Sequence, residues 1–463
     1  MDYSAANKAL WDAVIQLGLI AGAILLANIL RLKIPAVRKS LMPVAVLGGF
    51  LLLFAKYFGI VRLNNRLMEM LVYHGIALGF IAMSLRVPPE KQNEEHDLIG
   101  LKSGAVIVSS YLVQGVIGLL ITLLLSYTVM PGLFKAAGLL LPMGYGQGPG
   151  QANNVGSSYE ALGFAGGRSF GLSIAAAGYL VACVVGVIIL NVLSRKGKVG
   201  SSRSAEAEQY SVDYFQSKDE FPVSDSIDKL SIQLAMVLLV YLITYLAAWG
   251  LTSGIAALSS GLAATVNTLI WGFNFIIGAA LAMLVRVLLQ KGKRSGIILR
   301  QYQNNYLLNR ISGFFFDIMI VAGIASINLE DIRGLWLPFL LLATAGGVFT
   351  WIHLSIVCRK VYPGYYYEGL LSMYGMMTGT ISSGVLLLRE IDPELSTPAA
   401  NNLITGSSFG IVLGAPVLVL VSLAPKSDLS CWITAALAAV YLVLLLLLIF
   451  KVKQTGKQQK TSR

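Results

Sequence analysis

Apolar positions in this chain come in runs of about 20 residues, the length a helix needs to cross the ~30 Å hydrocarbon core of a bilayer. They fall at roughly 11–31, 41–60, 67–85, 103–128 and 169–193, then at 229–250, 266–289, 307–327, 335–357 and 402–423. A last run lies at 430–450. A polar stretch rich in Ser, Lys, Asp and Glu separates the first five from the rest. Two segments, 131–164 and 363–391, break the pattern between the fourth and fifth run of each half. Both are too long for tight turns and too interrupted to span. The pattern predicts an all-α polytopic membrane protein. Its parts are a first unit at 1–193, a linker at 194–228, a second unit at 229–423, and an extra helix with a basic tail at 424–463.

The broken segments resemble each other. The first contains Met143-Gly-Tyr-Gly-Gln-Gly-Pro-Gly-Gln-Ala-Asn-Asn-Val-Gly-Ser-Ser158, the second Met373-Tyr-Gly-Met-Met-Thr-Gly-Thr-Ile-Ser-Ser-Gly384. Tyr145, Gly146 and Gly150 match Tyr374, Gly375 and Gly379 in spacing. Lipid cannot satisfy an irregular backbone, so such segments survive only inside protein or along a watery cavity. Arms of about 10–13 residues reach about half the bilayer. The expected shape is a re-entrant hairpin: arm, Gly-rich tip, arm, exit on the side of entry.

Composition removes other classes. Only 13% of residues are charged and the mean hydropathy is +0.72, against roughly 25% charged in soluble domains. The net charge of +12 does not form one stripe, so nucleic acid is not an expected partner. With the N-terminus outside, 27 of the 35 basic residues fall in inner loops; the opposite orientation inverts that ratio. Five spans per half then make the two units inverted repeats, with the first hairpin entering from outside and the second from inside. That is the architecture of alternating-access carriers. Cys183, Cys358 and Cys431 show no disulfide or zinc spacing. The basic cluster follows the first apolar run, which therefore reads as a spanning helix and not as a signal peptide.

The order of helices, hairpins and charged linker resembles the bacterial sodium:glutamate symporter (ESS) family. Gly144-Tyr-Gly146-Gln-Gly148-Pro-Gly150 resembles that family's first-half glycine motif. The second tip departs, having lost glycines usual there, and the 430–450 helix is extra to a ten-helix core. The resemblance implies sodium-coupled uptake of an acidic amino acid, glutamate. It also implies a homodimer in the bacterial inner membrane, and the charge bias places the C-terminus in the cytoplasm. A mobile hairpin-bearing core would work against a static scaffold, in the elevator manner.

Candidate ligands follow from donor chemistry. A carboxylate seeks N–H and O–H donors and helix N-termini, which points to Gly146, Gln147, Gly148, Gly150, Gln151, Thr378, Gly379 and Thr380. Sodium seeks oxygen, which points to Asn153, Asn154, Ser157, Ser382 and Ser383. Helix capping and close packing are the bland readings of the same residues, and packing is favoured for Gly163, Gly166, Gly171 and Gly178. Arg389 is a candidate partner for a second substrate carboxylate. Glu160 and Glu390 read as interfacial charges. Asp317, mid-span with no basic residue within a turn, is expected to face a cavity, bind a cation or carry a proton; Asn305 and Asn309 extend a polar stripe from it. Asn401 and Asn402 read as caps, and His74, His96 and His353 do not cluster. Trp271, Trp351 and the Tyr362–Tyr367 group read as belt residues.

No metal, nucleophile or Walker motif appears, so neither an enzyme nor an ATP-driven pump is expected. Unlike tips in inverted repeats favour a carrier over a channel. A different carboxylate or amino acid, proton-coupled through Asp317, is the alternative cargo.

Overall fold

The computed structural model describes residues 3–451 apart from 5, 40–41, 88–93, 200–225, 259–269, 272–273, 298–300 and 393–396. Most of the expected linker, the start of the 266–289 run, the basic tail beyond residue 451 and the side chains of His96 and Ser382 lie outside the described residues. Among the described residues all regular structure is helical. Ten helices among the described residues are long and apolar enough to cross a membrane, and the protein is a multi-pass membrane protein.

The first unit holds α1 (Lys8–Lys33), α2 (Val44–Tyr57), α3 (Asn65–Leu85) and α4 (Glu94–Tyr127). A 3-10 turn (Lys135–Leu139), a π turn (Pro142–Gly146) and α5 (Pro149–Ala161) follow, then α6 (Gly167–Arg195). The second unit holds α7 (Ser226–Leu258), α8 (Asn274–Arg294), α9 (Asn305–Ser326) and α10 (Trp336–Val361). The half-length helices α11 (Tyr366–Thr378) and α12 (Ile381–Arg389) precede α13 (Ala399–Leu423), and α14 (Asp428–Lys451) comes last among the described residues.

The 41–60 run yields less than a span. Pro43 starts α2, and the chain turns just past it at Gly59, where φ is +70°. Its 14 residues cover about 21 Å, short of the bilayer core.

Asparagine starts two matching helices. The Asn64 side chain accepts Leu67 N–H at 3.2 Å and opens α3; Asn304 accepts Leu307 N–H at 2.8 Å and opens α9. Each begins Asn-Asn-x-Leu, and the two pack against each other. The C-terminal carbonyls of each are closed by a cation from the second helix of the other half. Lys56 of α2 donates to Ile327 O (3.2 Å), and Arg286 of α8 donates to Arg86 O (3.2 Å). Cations at helix C-termini also complement the macrodipole.

The apolar packing divides by element. Residues of α1, α2, α3, α7, α8 and α9 build two adjoining clusters. Those of α4, α10, α13, α14 and both broken segments build a third, and α6 contributes to both sides. The boundary is made largely of small and apolar side chains: Gly150 lies on Ile76 and Met319, and Gly323 on Pro149. At one edge it is fastened by the Arg168–Glu69 ion pair and by Ser169 Oγ donating to Asp331 (2.7 Å).

Candidate functional site

Each broken segment ends its first arm deep in the protein and starts a new helix there. At the first tip the π turn gives way at Gln147 and Gly148 to α5, whose first residue is Pro149. Gly148 has φ +85° and ψ −176°, a region essentially confined to glycine. At the second, Gly379 and Thr380 separate α11 from α12, and neither needs a positive φ. Neither α5 nor α12 receives a side-chain N-cap, so both present open N–H groups and a positive dipole end to a buried space.

Three helices bring the tips together. Gln114 of α4 donates through Nε2 to Thr350 Oγ1 (2.8 Å) and to Met377 O (2.9 Å), just before the second tip. Its Oε1 lies 3.1 Å from where a Cβ on Gly146 would sit, in the first. On α6, a Cβ on Gly178 would strike both Thr378 O and the Tyr145 ring, so a glycine is required where both segments cross that helix. On α10, Tyr145 donates to Ala343 O (2.5 Å) and Tyr374 to Gly347 O (3.4 Å), one turn apart. The two tyrosines of the repeated motif thus anchor the two segments to one helix.

Buried polar atoms without a partner concentrate here. Twelve side-chain atoms of the described residues are buried without a hydrogen bond, and seven belong to this region: Gln114 Oε1, both polar atoms of Gln151, Asn153 Oδ1, Tyr179 OH, Thr380 Oγ1 and Ser383 Oγ. Gln151 is 1% exposed. Each such orphan costs about 1–3 kcal/mol, so a cluster of them signals a ligand or ordered water rather than packing. Tyr179 lies nearest the first tip, its hydroxyl 3.9 Å from a Cβ built on Gly148, and a π turn follows it at Val181–Val185. Such turns within helices are frequent at functional sites.

The candidates divide accordingly. Gln147, Gly148, Gln151, Asn153, Thr380 and Ser383 lie at or beside the tips. Gly146 and Gly150 lie there too, but packing explains them: a Cβ would strike the Tyr111 ring at the first and reach Ile76 Cδ1 at 2.5 Å at the second. Gly379 marks the break itself. Thr378 Oγ1 donates back to Tyr374 O (2.8 Å) and closes its own helix, the capping reading. Asn154 accepts from Asn153 Nδ2, and its carbonyl accepts from Ser158 Oγ; Ser157 is half-buried farther along α5. Ser382 has no described side chain.

Two candidates are not brought to the tips. Arg389 is exposed at the far end of α12, about 12 Å along the helix from Ile381. Asp317, expected to face a cavity, bind a cation or carry a proton, is exposed on the outward side of α9. Helix α9 turns Ser312, Met319 and Gly323 inward against α3 and α5, and the 3.6-residue period carries Gly313, Phe314 and Asp317 outward. Among the described residues it makes no hydrogen bond or ion pair, and it lies in electrostatic range of Tyr179. No group of three acidic, His or Cys residues able to hold a metal occurs among the described residues.

Gln114, Tyr179 and Thr350 were missed. Gln114 and Thr350 are lone polar residues in apolar runs, a signal present in the sequence but without an address. No protein-family model and no curated protein matches this chain.

Proposed function

We propose that the protein is a secondary active carrier for a small carboxylate-bearing solute, bound between the two tips. The observation that carries this reading is the collection of seven unpartnered buried polar atoms where two uncapped helix N-termini converge. The helix ends suit a carboxylate. The oxygens of Gln114, Gln151 and Asn153 suit an ammonium group or a bare sodium ion. Among the described residues the tips carry no charged side chain, so affinity there rests on dipoles and neutral donors.

The reading has further support in the organisation of the helices. The segments are fixed at opposite ends of α4, the first near Lys135, the second through Tyr362, whose hydroxyl donates to Ser103 (2.8 Å). That arrangement, the Asn-Asn-x-Leu starts and the exchanged Lys56 and Arg286 caps favour two inverted repeats with re-entrant hairpins. The division of the core favours an elevator: α1–α3 with α7–α9 as scaffold, the hairpins with α4, α6, α10 and α13 as the moving body. The positive-inside bias orients the N-terminus outside. The family resemblance makes L-glutamate with sodium the first cargo to try, and a homodimer the first assembly.

Uptake of radiolabelled glutamate into proteoliposomes, with sodium and proton gradients imposed separately, tests the proposal. Sodium-driven accumulation is expected. Accumulation under a proton gradient alone would favour the second reading, in which Asp317, beside Tyr179, handles a proton; Asp317→Asn should then abolish the proton dependence. No uptake of any amino acid or small carboxylate would remove the carrier reading.

A further inference from the structure

The two ends of the α3/α9 pair are closed by one device but balanced differently. At one end Lys56 caps α9, and both Asp331 and Arg168, the latter paired with Glu69, stand in electrostatic range of its ammonium. At the other, Arg286 caps α3 through Nη1, which donates to Ser84 O (3.3 Å) and Arg86 O (3.2 Å). The charge beside Arg286 is a second cation, Arg86. Arg86 donates from Nε to Met83 O (3.0 Å) and from Nη1 to Asn309 Oδ1 (3.3 Å). Among the described residues no carboxylate pairs with either guanidinium.

Donors are left over. Arg286 Nε is buried and unpartnered. Among the described residues, Arg86 Nη2 and the Asn309 amide nitrogen make no hydrogen bond. Burial beside Arg286 pulls Arg86 down to about 10, which leaves it charged at neutral pH. Two neighbouring guanidiniums in a partly desolvated place repel each other, and a counter-anion would relieve that repulsion. Paired arginine forks match the geometry of phosphate oxygens. The surroundings select the source. The site sits where the apolar window of α3 ends at Leu85, the depth of a headgroup. Leu284 and Leu288 of α8 and Phe314 of α9 are exposed on the outer faces of the same helices, apolar surface of the kind acyl chains cover.

We propose that Arg86, Arg286 and Asn309 bind a phosphate group, that of an anionic membrane phospholipid. The lipid supplies at this end of the α3/α9 pair the negative charge that Asp331 supplies at the other. It therefore steadies the scaffold side of the molecule and leaves the tips alone.

The detergent-purified protein can be titrated with phosphatidylglycerol, with phosphatidylcholine of the same acyl chains, and with inorganic phosphate, reading melting temperature and lipid retention in native mass spectra. Phosphatidylglycerol is expected to raise the melting temperature by several degrees and to be retained, and phosphatidylcholine to do neither. Arg86→Gln should weaken the phosphatidylglycerol response about tenfold or more, and Arg86→Lys, which keeps the charge but loses the fork, should recover only part of it. Equal responses to the two lipids, or an unchanged response in Arg86→Gln, would overturn the site. A full response to inorganic phosphate without lipid retention would overturn the lipid and assign the pocket to the free ion. If Arg86→Gln does not fold, Asn309→Ala leaves both helix caps in place and should still weaken lipid binding about threefold.

Discussion

The two tips reach similar chemistry by different routes. The first is an irregular stretch held by its neighbours: Gly144 lies on Ala175, Gly146 on Tyr111, Gly150 on Ile76, and Gly148 occupies a backbone region that other residues avoid. The second consists of two ordinary helical arms with a two-residue break, its glycines Gly375 and Gly384 packing one arm on the other. Both leave an uncapped helix start in a buried space. The difference teaches that glycine count is a poor gauge of a binding tip. Glycines at the first tip mostly serve close approach, and the open polar atoms there belong to Gln151 and Asn153. The second tip, with fewer glycines, leaves Thr380 and Ser383 equally open.

That contrast can be broken by substitution. The largest effect is expected at Gly146→Val, where the new side chain would enter the Tyr111 ring beside Gln114. Uptake should fall more than about 100-fold while membrane insertion persists, because the apolar spans are untouched. Gly379→Ala should be far milder, since the closest atom is Ser383 Oγ at 2.8 Å, the end of a rotatable side chain. Equal loss in both variants would mean that the tips do not differ in packing.

Gln114→Leu comes next. It strips Met377 O and Thr350 Oγ1 of their donor, at about 1–3 kcal/mol for each group left unpaired, and cuts the tie between the tips. A loss of about 10- to 100-fold in uptake is expected, with Thr350→Val intermediate. If Thr350→Val matches it, the link to α10 matters more than the link to the second tip.

The most diagnostic pair is Tyr179→Phe and Ser383→Ala. Each removes a buried hydroxyl that lacks a partner. Without cargo these variants should melt higher, by an amount worth about 1 kcal/mol, because an unmet polar group is gone. With cargo they should bind more weakly. A variant less stable both with and without cargo would show that its hydroxyl is a structural bond donor instead. The smallest effect is expected for Arg389→Ala, exposed and away from the tips; uptake should stay within about twofold.

Much of the architecture was legible in the chain. Runs of about 20 apolar residues located ten spanning helices, and the paired Tyr-Gly motifs located both breaks. The same rule overreached at 41–60, where apolar composition could not register that Pro43 and the turn at Gly59 cut the helix short. Nor could it say where Asp317 points, because hydropathy reports depth along a span but not which side of the helix meets protein.

Sequence alone determined that this chain lives in a membrane, where its helices break, and that the breaks recur. These are local properties, set by side-chain hydropathy and by glycine and proline within a few positions. Only tertiary structure decided which polar groups meet there. Gln114 and Thr350 stand 236 positions apart, and the unpartnered hydroxyls of Tyr179 and Ser383 come from two further helices. Contacts of that range follow from how helix faces pack, and no window along the chain contains that information.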